Sequence, residues 1–202
     1  MKKALTLLLA AALSGLASAV TVSWNGIVSR ELTNVYTAFD IKVTYSYTLS
    51  QAIKARSDLL WLGFDGSATK DETNAVEFRY APAATFGNGP NVIAFTNGAT
   101  YSYEKQKLDG AMASAGTREL TLVINLQNRT CGITFQDADM NTQTTSISLG
   151  NNFSYGSSVW VNTYLPTGVT ASSVTVTYVP EPTVLALLAI GVAGLALRRK
   201  QA

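Results

Sequence analysis

Histidine is absent from the 202-residue chain, and cysteine occurs once, at Cys131. The missing imidazole removes Ser-His-Asp and Cys-His catalysis and the commonest zinc ligand together. A single cysteine excludes an intramolecular disulfide. Its place in the alternating run Cys131, Ile133, Phe135 fits a small buried apolar side chain. Charge is scarce as well: Asp, Glu, Lys and Arg make up 14% of residues, against 47% hydrophobic ones. The surface then has to be built from Thr, Ser, Asn and Gln, which suits an exported β-protein better than a cytosolic helical one.

The net charge of +2 comes from the ends of the chain. Five of the fifteen basic residues (Lys2, Lys3, Arg198, Arg199, Lys200) and one of the thirteen acidic residues (Glu181) lie there. Residues 20–179 keep ten basic against twelve acidic groups, near −2. No basic face is left, so nucleic acid is not an expected partner.

Lys2 and Lys3 precede an apolar run over residues 4–16, and Ala17-Ser18-Ala19 follows. Charged, apolar and small residues in that order form a secretory signal peptide over residues 1–19. Ala17 and Ala19 would fit the pocket of signal peptidase, and the mature chain would start at Val20. At the other end stand Val179-Pro180-Glu181-Pro182, an uncharged stretch over 183–197, and Arg198-Arg199-Lys200 within the tail 198–202. Fifteen helical residues span about 22 Å, short of a hydrocarbon core about 30 Å thick. Such a span suits a transient transmembrane helix, with its basic stop held in the cytoplasm. Pro180 and Pro182 fix their own φ and bias Val179 and Glu181 toward extended backbone, a stiff strip beside the membrane.

Motif, apolar stretch and basic tail together resemble the PEP-CTERM sorting domain. What the resemblance implies is recognition by exosortase, a membrane cysteine transpeptidase of Gram-negative bacteria that make exopolysaccharide. Val179, Pro180, Glu181 and Pro182 would be the sorting motif, and Arg198, Arg199 and Lys200 the membrane stop. The protein would cross the inner membrane, be anchored transiently, and end at the cell surface or in the extracellular matrix.

Between the ends, residues 20–179 read as one all-β domain. Alternation runs over 35–49, 75–81 and 118–126, and shorter strand signals lie at 59–64, 91–95, 131–135, 144–149, 158–161 and 173–179. Asp65-Gly66, Asn97-Gly98 and Gly150-Asn151-Asn152 are among the turns that separate them. Nine or ten strands at this spacing predict an antiparallel two-sheet sandwich. The only helix candidates are 50–56 and 109–115. Glu119-Leu-Thr-Leu-Val-Ile-Asn-Leu, a break, and Gly132-Ile-Thr-Phe resemble the paired core strands of concanavalin-like and laminin-G jelly rolls, which implies a jelly roll without fixing a ligand.

Site candidates are few. Asp137, Asp139 and Asn141 occupy the first, third and fifth positions of a calcium loop. Thr142 stands where that loop needs Gly, however, and Ser148 where it needs Glu. A hairpin turn explains them equally, so the expectation is no cofactor, with calcium there as the one metal reading. Glu77 with Asp137 or Asp139 is the only pair that suggests glycoside hydrolysis, which requires two carboxyls about 5–9.5 Å apart. Alternating charges at Glu77 and Arg79 otherwise read as an exposed strand face. Trp160 and Tyr36 break the apolar faces of their segments and are candidate outward contacts for a sugar, whereas Trp61 reads as core. The expectation is a non-catalytic surface or matrix protein. A polysaccharide-binding lectin-like module is the alternative, and a glycoside hydrolase ranks below both.

Overall fold

In the computed structural model, which describes residues 19–35, 39–66, 73–81, 89–104, 108, 111–137 and 139–179, the alternating segments pair into two six-stranded antiparallel sheets. Sheet A runs β1 (Val20–Asn25), β12 (Val169–Tyr178), β3 (Ile41–Leu49), β8 (Gly116–Asn125), β9 (Thr130–Gln136), β10 (Thr142–Ser148). Sheet B runs β2 (Val28–Leu32), β11 (Val159–Thr163), β4 (Ser57–Gly63), β5 (Ala75–Ala81), β6 (Gly89–Thr96), β7 (Ala99–Glu104). The expected all-β sandwich is therefore what forms.

Period-two alternation sets sheet A. β3 buries Ile41, Val43, Tyr45, Tyr47 and Leu49. β8 adds Leu120, Leu122 and Ile124, and β9 adds Cys131, Ile133 and Phe135. Sheet B meets them with Leu60, Leu62, Val76, Phe78, Val92, Ala94, Val159 and Val161 in one continuous core. At its centre the Tyr45 and Tyr47 rings stack 5.5 Å apart, and Phe78 of the facing sheet lies 5.6 Å from Tyr47. The Tyr47 hydroxyl escapes the cost of an unpaired buried donor by bonding the Ala111 carbonyl at 2.8 Å.

Side chains lace the two sheets together along both borders. On one, the Thr145 hydroxyl donates to Glu104 at 2.9 Å, and the Ser102 and Thr96 hydroxyls donate to the Ser148 and Leu149 carbonyls. On the other, the β1–β2 turn places Gly26 at φ +73°. Its N–H reaches the Ser172 carbonyl at 2.8 Å, and its carbonyl accepts from the Thr163 hydroxyl.

The outer face of sheet A is a hydroxyl surface. Ser23, Thr175, Thr44, Thr121, Thr134 and Thr144 fall in one cross-strand row, one from each strand. Ser23–Thr175 and Thr44–Thr121 are hydrogen-bonded at 2.8 and 3.2 Å. Cross-strand Thr pairs of this kind add a few tenths of a kcal/mol, up to about 1 kcal/mol each. This is how a chain with little charge keeps a wet face.

Several expectations change. The single strand over 35–49 begins only at Ile41, with Phe39 46% exposed before it. The helix expected at 50–56 is a loop, and residues 111–115 are turns and bends. β1, β2 and β7 were not anticipated; their runs are short and mixed in polarity. The 183–197 helix lies outside the described residues, among which no helix is long and apolar enough to cross a membrane.

Cys131 is fully buried, and burial pushes its thiol from 9.0 up to about 12. Burial likewise raises the hydroxyls of Tyr45 and Tyr47 well above their ordinary 10.0. A group raised on folding contributes stability that is complete below its unfolded value and lost as pH climbs through the folded one. Unfolding free energy, measured by denaturant titration, should therefore be level up to about pH 9 and fall steeply between about pH 9 and 12. Cys131 should resist thiol reagents until the chain unfolds; ready labelling of the native protein would contradict this placement.

Candidate functional site

Residues alternating with the core positions of sheet B point away from sheet A, and register brings them into rows. One row runs Ser29, Asn162, Trp61, Glu77, Ile93, Tyr103. A second runs Glu31, Trp160, Gly63, Ala75, Phe95, Thr100. A third places Asp58, Arg79 and Asn91 side by side. This outer face is apolar toward one end and polar toward the other.

The apolar end is a second core. Trp61, Ala75, Ile93 and Phe95 are buried together, with half-buried Trp160 and Tyr164 packed against them. The Trp61 indole lies flat over Gly63: a Cβ at that glycine would stand 2.1 Å from Trp61 Cη2. Only a residue without a side chain admits the ring, so Gly63 fixes the orientation of the largest aromatic on the face.

At the polar end, Glu77 and Arg79 are buried, not exposed as their alternation suggested. Arg79 donates to Glu77 Oε2 at 3.0 Å and lies over the Phe95 ring, 5.5 Å from its centroid. A carboxylate so deep needs this pairing, because an isolated buried charge costs several kcal/mol. Tyr164, at the border, has its hydroxyl raised to about 12 by burial and then by the negative charge of Asp58 and Glu77.

Among the described residues, Asn91 Oδ1, Asn162 Nδ2 and Trp160 Nε1 are buried on this face with no hydrogen-bond partner. Buried polar atoms are overwhelmingly paired in folded proteins, and each exception calls for an explanation. Asn91 is held in place, since its amide donates to the Gly89 carbonyl at 2.8 Å and leaves the oxygen over. All three lie beneath the surface, so only a polar group admitted into this face could pair with them.

The other candidates are not brought together with this face. Asp137, Asp139 and Asn141 form the β9–β10 hairpin of sheet A. Asp137 Oδ1 accepts the backbone N–H of Asp139 and of Asn141, each at 2.9 Å, and Met140 takes φ +62°. Desolvation pushes the Asp137 carboxyl up, but the hydrogen bonds from Asn141, Asp139 and Gln143 together outweigh it and hold the group below its usual 3.8. Its oxygens thus serve the turn. Among the described residues no group of three or more His, Cys, Asp or Glu is placed to hold a metal. Glu77 and the Asp137–Asp139 hairpin lie on different sheets. Tyr36, Ala17, Pro180, Glu181, Pro182, Arg198, Arg199 and Lys200 lie outside the described residues, whereas Ala19 is exposed just before β1 and half-buried Val179 just after β12. Asn91, Asn162, Asp58 and Tyr164 were not anticipated from the sequence; only Trp160 was.

Residues 179–200 match the model of the PEP-CTERM protein-sorting motif. The chain carries a PEP-CTERM sorting signal. That signal implies exosortase-processed export with transient membrane anchoring. No curated protein matches the chain. Solved structures do. The Lotus tetragonolobus seed lectin superposes with a TM-score of 0.50 at 9% identity, over 82% of this chain and 95% of that one. Lectin UEA-II complexed with galactose gives 0.50 at 8% identity, over 80% and 83%. Basic winged bean lectin with Tn-antigen gives 0.50 at 7%, over 81% and 100%. The likeness is one of fold: the PEP-CTERM chain bears a concanavalin-like jelly roll of the legume-lectin kind.

Two substitutions test the face. Gly63→Ala should displace the Trp61 indole, cost about 1–3 kcal/mol and shift the tryptophan emission to the red. Glu77→Gln removes the charged acceptor of the buried Arg79 ion pair and should cost about 3–5 kcal/mol in denaturant unfolding. An unchanged midpoint in either would mean that the face is not packed as described.

Proposed function

We propose that this chain is an exported, exosortase-processed cell-surface or matrix protein whose β-sandwich binds carbohydrate without catalysis, through the outer face of sheet B. The proposed organisation is a signal peptide over 1–19, the sandwich over 20–179 and the sorting segment over 180–202. The strand boundaries support it. β1 starts at Val20, directly after Ala19, and pairs Val20 with Tyr178, one residue before Val179. Folding thereby draws both processing points to one side of one strand pair.

The observation that carries the binding reading is the outer face itself, where buried Trp160 Nε1 and Asn162 Nδ2 lack partners beside the aromatic cluster of Trp61 and Phe95, and Asn91 Oδ1 lacks one at the polar end. Sugars offer hydroxyls to amides and C–H faces to aromatic rings, which is the chemistry gathered here. Two of the fold relatives are named with galactose or Tn-antigen, and the same use of the fold is inferred for this chain. A non-catalytic role is supported by Glu77, whose Oε2 accepts from Arg79 in a buried ion pair.

Two experiments test the two halves of the reading. Replacing Pro180-Glu181-Pro182 with three alanines should leave a slower-migrating, membrane-retained form in cell fractions; identical size and location would remove the processing half. On a glycan array, the full-length chain in mild detergent should bind a subset of glycans, and Trp160→Ala should lower that binding about tenfold or more, the scale of losing a stacked, hydrogen-bonding anchor. Uniform silence of the native protein would remove the binding half.

A further inference from the structure

The β3–β4 loop, residues 50–56, crosses one end of the sandwich and is pinned at Ser50 and Ile53. The Ser50 N–H donates to the Gly168 carbonyl at 2.8 Å and the Ile53 N–H to the Met112 carbonyl at 3.2 Å. The Ile53 side chain is buried beneath it, 5% exposed. Gly168 takes φ +98°, and a Cβ there would stand 3.6 Å from Gln51 Cγ.

Concavities flank this loop on both sides. The larger, about 730 Å³, lies between Gln51, Lys54, Arg56 and Ser57 and the Pro166–Thr167 turn. The smaller, about 240 Å³, continues past Lys54 to Tyr80, Pro90 and Met112. Lys54 borders both. The Pro166–Thr167 turn follows Tyr164, which packs against the outer aromatic cluster of sheet B and ties its N–H to the Leu59 carbonyl at 3.0 Å.

Lys54 and Arg56 are the charged residues that line these concavities, both exposed, and neither pairs with a carboxylate among the described residues. They stand out in a domain whose overall balance is near −2. Resting on the carbohydrate-binding reading above, we infer that this groove selects an anionic polysaccharide, one whose repeating units carry carboxylates, with Arg56 and Lys54 taking acid groups while the neighbouring aromatic face takes the rings. The planar guanidinium matches a carboxylate in two-point fashion, and the ammonium supplies a point charge. Two cations on one held loop suit a polymer with repeating charge better than a single free anion. The site is concave, so a planar lipid surface cannot enter it, and the domain lacks the broad basic face that nucleic acid requires.

The test compares the full-length chain in mild detergent with its Lys54→Gln/Arg56→Gln variant, both substitutions being at exposed loop positions. Probes are alginate as the polyuronate, dextran as the neutral polymer, and vesicles of phosphatidylcholine with phosphatidylglycerol. Alginate should bind more tightly than dextran, weaken as salt rises from about 0.05 to about 0.5 M, and lose roughly tenfold in the double variant. Dextran binding should be unaffected by the variant. Alginate binding no tighter than dextran, equal binding by the double variant, or vesicle binding that depends on Lys54 and Arg56 would each overturn the inference. Glycan binding that falls with Trp160→Ala but not with the double variant would leave the binding reading standing and sink this one.

Discussion

Strands β4, β5 and β6 are buried on both sides, β5 and β6 at every position and β4 from Leu59 onward, and the rest of the molecule is arranged around that fact. Their inner residues complete the main core against sheet A. Their outer residues then have to satisfy themselves in a second layer, with Trp61 lying on Gly63, Arg79 on Phe95 and Glu77 on Arg79. An antiparallel sheet usually leaves one face to water. Sheet A does so, with its hydroxyl rows. In sheet B a polar group has to be paired or left short, and among the described residues two asparagines and one indole N–H are left short. The proposed binding chemistry follows from that burial rather than from any motif.

Much of the scaffold was legible in the sequence for a simple reason. β3, β8 and β9 have one wet face, so their side chains alternate and the period of two shows. β5 alternates too, through Val76, Phe78 and Tyr80, but there the alternation misled. Glu77 and Arg79 looked solvated because they are charged, and nothing local announces that they neutralise each other under a second layer. β1 and β2 escaped notice because edge strands mix Ser, Glu and Arg with Val, as in Val28-Ser-Arg-Glu-Leu32. The Asn97-Gly98 turn was legible, and both residues take the positive φ, +52° and +78°, that a tight hairpin requires.

The site was legible only in part. Trp160 stood out because it interrupts Val159 and Val161, but its neighbours come from strand order. β11 inserts between β2 and β4, which sets Asn162 beside Trp61, and Trp61 beside Glu77. Such a row joins residues about a hundred positions apart, and no window of sequence contains it. The sorting segment is the opposite case. Its information is contiguous, Val179 to Lys200, and it was read directly. It bears on where the protein goes, while the long-range register of sheet B builds the proposed binding face.

The central claim is that the outer face of sheet B, beside the groove of the β3–β4 loop, is where ligand sits, and the three tryptophans report on it directly. Trp61 and Trp160 lie on that face, whereas Trp24 lies on β1 of the other sheet. Nuclear magnetic resonance of the three indole N–H signals, during titration with oligouronates and then with neutral gluco-oligosaccharides, separates the locations. The Trp160 signal should move most, Trp61 should follow and Trp24 should stay fixed. Movement of Trp24 with Trp160 and Trp61 unchanged would contradict it.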